Sequence, residues 1–374
     1  MYSIIIFVRR KMEIKKPTQQ EYKSAVKMLN SVFGKNFPKL LPKLYAKDKD
    51  FSSNHFVVVE DDKVIGAIAS IPMEYHIGDE IMSVRGIGMV GTKRSARGKG
   101  VMSKMLDSIY QEALDNSVVA MCLGGNLDRY NRHGFFPSGK EYEFTIRKKR
   151  EYIDKCDEWS FSKLKEDDDI KMLCQMHNKQ TSHWERKDFY KTLCNWKNIP
   201  YLIKHNGQVV GYLIKQKFLP FVLEIEIDKE NIVPCMTAWI KRAKVDRVKV
   251  NINPYRHDLV ETMLQNCETY HTNSSESWSI LDWQKAIEIM MRAKAKDSGL
   301  RDGQIVVDID GQVLDISVGG QNVTVTHTQS TPQITLDRNT ATKMFFGLDG
   351  MYKSHTILDE WLPMSIYMPS ADKV

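Results

Sequence analysis

Two stretches of the chain share one hydrophobic design. Residues 55–69, HFVVVEDDKVIGAIA, run as an apolar strand, the polar turn Asp61-Asp62, a β-branched pair, a glycine and a second strand. Residues 200–214, PYLIKHNGQVVGYLI, repeat this around Asn206-Gly207, a dipeptide suited to a tight hairpin. Val64-Ile65-Gly66 is answered by Val209-Val210-Gly211, 145 residues later, and helical segments precede both copies. The pattern predicts an internal duplication. Residues 81–92, IMSVRGIGMVGT, read as a strand whose glycines at 86, 88 and 91 mark close backbone approach. Val101, Met105, Leu106, Ile109, Ala113 and Leu114 then recur at helical spacing up to Asp115-Asn116, and 117–125, SVVAMCLGG, reads as a buried strand ending in two glycines.

A third region starts near Ser279. Ile280, Trp283, Ile287, Met290 and Met291 fall on one helical face. Period-two positions follow, at Ile305, Val307 and Ile309, at Leu314, Ile316 and Val318, and at Val323 and Val325, with Asp310-Gly311 and Gly319-Gly320 as turns. This predicts an antiparallel meander packed on helices. The stretches 147–155 and 271–277 are the expected boundaries.

Composition narrows the class. The 374 residues are 42% hydrophobic and 27% charged, a globular balance with room for two or three domains. No apolar run reaches the roughly 18 residues of a membrane span. The start, MYSIIIFVRRKMEIKKPT, lacks the order of a secretory signal, so residues 1–11 are expected to be an upstream start or an added strand before Met12. The six cysteines are scattered without a CxxC pair and are expected to be reduced thiols in a cytoplasmic protein. A net charge of +7 spread over the chain suits a mildly basic enzyme better than a nucleic-acid binder.

The candidate chemistry lies at residues 90–106, VGTKRSARGKGVMSKML. Lys93, Arg94, Arg97 and Lys99, with Gly98 and Gly100, form a basic turn that opens into the helix beginning near Val101. A helix N-terminus offers unpaired N–H groups and about half a positive charge, and glycines let a phosphate approach them. The Gly-Lys-Ser/Thr of a nucleotide P-loop is missing, and no acid follows the next strand as a dinucleotide site requires. A pyrophosphate of another kind of cofactor is the expectation that remains.

Arg97-Gly98-Lys99-Gly100-Val101-Met102 resembles the coenzyme A loop of the GCN5-related N-acetyltransferases, Arg/Gln-x-x-Gly-x-Gly/Ala, with Met102 where Gly or Ala is usual. GIGMVGTKRSARGKGVMSKML followed by LGGNLDRYNRHGFFPSG (123–139) resembles the Eis-type (enhanced intracellular survival) branch, strongly over 27–145 and loosely beyond. The resemblance implies an α+β chain of tandem GNAT-like domains, with mixed, mostly antiparallel sheets flanked by helices, then a sterol-carrier-like α+β domain. The implied divisions are 12–150, 151–275 without a cofactor site, and 276–374. It implies acetyl-CoA as co-substrate, an amine acceptor of aminoglycoside or lysine type, no metal, and a homo-oligomer, hexameric in the family. Val90, Gly91 and Thr92 would take the pantetheine arm and the acetyl carbonyl. Arg97, Gly98, Lys99, Gly100, Val101, Met102 and Ser103 would hold the pyrophosphate, and Gly125 and Asn126 would line the other side. Tyr130 would protonate the leaving thiolate, and the terminal carboxylate, here on Val374, would act as general base. The other expectation is a lipid carrier built on the C-terminal meander.

The remaining chemistry-bearing residues have simpler readings. His133, beside Gly134-Phe135, reads as structural, and His177 and His183 lack a third ligand for zinc. Cys122 reads as strand packing, and Lys165-Glu166-Asp167-Asp168-Asp169 as a solvated cluster or helix start.

Overall fold

A computed structural model describes residues 12–46, 49–168, 170–348 and 352–374, so the reading of residues 1–11 lies outside the described residues. Three sheets carry the chain. The first runs Glu13–Lys15, His55–Glu60, Lys63–Ile77, Glu80–Thr92, Ala120–Leu123, Glu276–Ile280, Phe136–Ser138, with Ser182–Trp184 added at Lys63–Ile77. The second runs Thr269–Asn273, Glu141–Arg147, Arg247–Ile252, Val222–Glu226, Gln208–Lys215, Ile199–His205, Trp159–Lys163. In each, all pairings are antiparallel except one: Glu80–Thr92 with Ala120–Leu123, and Val222–Glu226 with Arg247–Ile252. The fold is α+β, with helices flanking mixed, mostly antiparallel sheets.

The two look-alike hairpins are built alike. Val58 faces Gly66 and Ile203 faces Gly211, and in both the register slips at the next residue, between Val58/Val59 and between Ile203/Lys204. A bulge of this kind bends the strand and increases its twist. The helices that follow differ at their starts. Val101–Asp115 begins at Gly100 with no acid in its first turn. Lys229–Ala243 begins at Asp228 with Glu230 in its first turn. Acids at that N-terminus favour the dipole themselves and repel an anion.

Two strands sit away from their neighbours in sequence. Glu276–Ile280 pairs with Ala120–Leu123 and Phe136–Ser138 in the first sheet, and Glu141–Arg147 pairs with Arg247–Ile252 and Thr269–Asn273 in the second. The third sheet is the expected meander Gly303–Ile309, Gln312–Gly319, Asn322–His327, extended by Ile334–Leu336 in parallel. Its helix is Trp283–Ser298, capped by Asp282, whose side chain accepts from Lys285 N. Ile280 therefore belongs to a strand and not to the helical face, because the Asp282 cap starts the helix after it. Trp283, Ile287, Met290, Phe345 and Phe346 are fully buried between this helix and the sheet. Among the described residues no helix is long and apolar enough to cross a membrane.

Candidate active site

The helix Val101–Asp115 buries Val101, Met105, Leu106, Ile109 and Ala113 against the first sheet. That fixes where its N-terminus points. Gly98 (φ +78°) and Gly100 (φ +72°) both adopt the left-handed conformation, and a Cβ on either would meet open space. Glycine is therefore required by backbone angle and not by crowding. The result is a cleft of about 610 Å³ whose lining includes Val90, Thr92, Arg97, Gly98, Gly100, Val101, Met102 and Ser103. Unpaired helix N–H groups, two glycines and Arg97 are the features that favour an anion at such an end. The resemblance implies coenzyme A at this turn, and replacing Gly100 by Val should then strain the turn by roughly 1–2 kcal/mol and weaken that binding by about tenfold or more. Titration calorimetry beside a melting curve checks it; unchanged affinity would put the diphosphate elsewhere.

Four expected cofactor residues do not line this cleft. Gly91 faces the helix Gln19–Phe33, where a Cβ would lie 2.5 Å from Leu29 Cδ2. Lys99 turns to Glu60, 3.3 Å away. Asn126 caps the short helix Leu127–Tyr130, its Oδ1 accepting from Arg129 N at 3.3 Å. Gly125 lies against the Tyr130 ring, with a Cβ position 2.9 Å from Tyr130 Cε2. In their place Val32, Phe33, Ala96, Arg129 and Arg132 complete the lining. Arg129 and Arg132 sit three apart after the glycine-ended strand. Two arginines at that spacing behind a glycine-ended strand are the signal in the sequence that points to a second cationic wall.

Tyr130 is buried, its ring edge-on to Phe135 at 6.4 Å. Burial pushes its hydroxyl above the usual phenol range, and Arg129 pulls it partway back. His133 is held below the usual imidazole range by burial, then by Arg132. Burial pushes the Cys122 thiol far up, which suits packing and not nucleophilic attack.

The strand Glu80–Thr92 is bent where the cleft begins. Its register against Lys63–Ile77 slips between Ala67 and Ala69, and Met89 takes φ +47°. Its pairing with Ala120–Leu123 covers only Val84–Gly86, after which the two strands part. Val374 enters there. A Cβ on Gly88 would lie 3.0 Å from the Val374 carboxyl carbon, and one on Gly86 would lie 2.7 Å from Val374 Cγ2. Glycines 86 and 88 thus provide the close approach their spacing suggested, and what approaches is Val374. Beside Val374 lies a second hollow of about 350 Å³, lined among others by Lys43, Glu74, Arg85, Glu185 and Lys187.

All six cysteines are free thiols. His177 and His183 meet edge to ring at 5.5 Å, with His177 Nε2 engaged by the Trp184 carbonyl at 3.0 Å. Among the described residues no group of three or more His, Cys, Asp or Glu is placed to hold a metal.

Residues 13–137 match the acetyltransferase (GNAT) domain. The fold of nearly the whole chain is shared with the crystal structure of a GCN5-related N-acetyltransferase from Kribbella flavida (TM-score 0.71, 15% identity, 96% of this chain and 98% of that one). It is shared too with a GCN5-related N-acetyltransferase from Anabaena variabilis (TM-score 0.69, 14% identity, 96% and 98%). Eis1 from Mycobacterium abscessus aligns at TM-score 0.60 and 12% identity over 90% of each chain. No curated protein matches the sequence. The match to the acetyltransferase (GNAT) domain thus covers residues 13–137, and nearly the whole chain shares its fold with these acetyltransferase structures.

Proposed function

We propose that this protein is an acetyl-CoA-dependent N-acetyltransferase acting on an amine, with Val374 as general base and Tyr130 as general acid. One observation carries the reading. The glycine turn before Val101 and the bent strand that supports the C-terminal carboxyl border one cleft, through Gly98, Gly100, Val90 and Thr92. A diphosphate on the helix N-terminus would lay the pantetheine arm along Val90–Thr92, toward Gly88 and Val374.

The chemistry then closes. A lysine-like amine is an ammonium at neutral pH, and freeing its lone pair costs about 4–5 kcal/mol. The Val374 carboxylate takes that proton. The nitrogen attacks the thioester carbonyl, the C–N bond forms and the C–S bond breaks. The Tyr130 hydroxyl gives its proton to the departing sulfur and regains the second proton of the acylated nitrogen through water, while Val374 releases its proton to solvent. The products are an N-acetyl amine and free coenzyme A. The hollow beside Val374 carries both signs of charge, which suits an acceptor with polar groups around its amine; aminoglycoside-type and lysine amines are the first to try.

Calorimetry with acetyl-CoA tests the first step, with a micromolar dissociation constant expected. Absence of binding at millimolar acetyl-CoA would end the proposal and leave the lipid-carrier reading, against which stand the bulky side chains that fill the interior of the third sheet.

A further inference from the structure

The C-terminal segment is fastened mainly by residues outside the cofactor cleft. Trp184 Nε1 donates to the Tyr367 carbonyl at 2.8 Å, and Asn195 Nδ2 to the Ala371 carbonyl at 2.9 Å. Lys43 Nζ donates to the carbonyls of Ala371 and Asp372, at 3.3 and 2.6 Å. Trp196 Nε1 donates to the Lys373 carbonyl at 3.3 Å, and the Lys373 ammonium pairs with Glu276 at 3.1 Å.

The centre of this array is Arg186, whose side chain is 1% exposed. Its Nε and Nη2 grip both oxygens of Asp372, at 3.0 and 2.6 Å. Its Nη1 and Nη2 grip both oxygens of Glu224, at 2.8 Å each. Tyr212 also donates to Glu224, at 2.7 Å. Glu224 and Tyr212 stand on the second sheet, in Val222–Glu226 and Gln208–Lys215. Arg186 itself is tied to the first sheet: Trp184 pairs with Tyr75, and Glu185 N donates to the Glu74 carbonyl at 3.0 Å. Burial works against both charges, yet Asp372 and Glu224 keep Arg186 ionised and Arg186 keeps Glu224 below the usual carboxylate range.

Such an array is a poor way to gain stability. Replacing a buried ion network by apolar groups is often neutral or stabilising. Its strength is geometry, because a guanidinium fork matched to two carboxylates fixes position and angle at once. What it fixes is Asp372, two residues before the carboxyl group on Gly88.

Resting on the reading of Val374 as base, we infer that Arg186 and Asp372 are positioning residues that set the terminal carboxylate against the acceptor amine. The second sheet, which lacks the basic glycine turn, takes part in catalysis by holding Glu224 and Tyr212 behind that clamp. A carboxylate on the last residue of a chain would otherwise fray, and a displacement of about 1 Å at a reacting group can cost 10²-fold in rate.

The test is a double-mutant cycle between Asp372→Asn and deletion of Val374. Asp372→Asn keeps the side-chain shape and removes the negative charge that faces Arg186. Its kcat for acetylation of an amine should fall about 10- to 100-fold, with an unchanged dissociation constant for acetyl-CoA. In the Val374-deleted background the same substitution should do nothing more, since the group it positions is gone. An equal loss in both backgrounds would make the clamp merely structural and overturn the inference, as would full kcat in Asp372→Asn alone. Full activity after deletion of Val374 would overturn the reading of Val374 itself, and the inference with it. Should Asp372→Asn fail to fold, Lys43→Met takes its place in the cycle, since it removes the bonds to two tail carbonyls and leaves the ion network intact.

Discussion

Deleting Val374 is expected to slow amine acetylation by about 10³-fold while acetyl-CoA binds as before. The truncated chain still ends in a carboxylate, but that group sits one residue back, about 3.5 Å along an extended chain. It is then held with the Lys373 backbone and away from Gly88. General bases are worth about 10²–10⁴, and this one removes a proton from a group of pKa about 10, where the need is large. Adding residues after Val374 should do the same by turning the carboxylate into an amide. Gly88→Val should do it from the other side, since its Cβ would already stand 3.0 Å from the carboxyl carbon. Initial rates read by thiol release separate the cases. If the truncated, extended and Gly88→Val proteins all keep full turnover, the carboxylate has no part in the reaction.

Tyr130→Phe should also lose turnover, nearer 10²-fold, with acetyl-CoA affinity unchanged. The smaller factor follows from the leaving group: a thiol with pKa about 8.5 departs as a moderately stable thiolate, so a donated proton helps less than deprotonating the amine. The substitution removes one oxygen and leaves the ring against Gly125 and Phe135. A fall in kcat with intact folding and binding would therefore report proton transfer. The loss should shrink for an acyl donor whose thiol is more acidic, because that sulfur needs the proton less. Unchanged turnover with the natural thioester would remove Tyr130 from the mechanism.

Much of the architecture was legible along the chain because its signals are local. The hairpins at 55–69 and 200–214, the helix from Val101 and the meander from Gly303 each declare themselves through periodicity and turn residues, and all form as expected. The turn at Gly98–Gly100 was legible for the same reason: positive φ and a following helix leave a mark on composition. The glycines of Glu80–Thr92 announced a close approach, though not what approaches.

What stayed hidden depends on pairing at a distance. Nothing in ESWSI says that Glu276–Ile280 inserts between Ala120–Leu123 and Phe136–Ser138, because any strand of that polarity would fit the same pattern. Arg186 looks like one more charge in a basic chain, and only the fold shows it fully buried between Glu224 and Asp372. The cleft wall at Phe33 comes from the helix Gln19–Phe33, nearly a hundred residues before Arg129 and Arg132, so no single motif contains all three.

The most direct test of the whole account is to incubate the native-ended protein with acetyl-CoA and a panel of primary amines, following thiol release and acceptor mass together. The account predicts at least one amine that gains a single acetyl group for each thiol released, at a rate that collapses when Val374 is deleted. Thiol release that runs at the same rate without any amine, and leaves every acceptor unmodified, would contradict it.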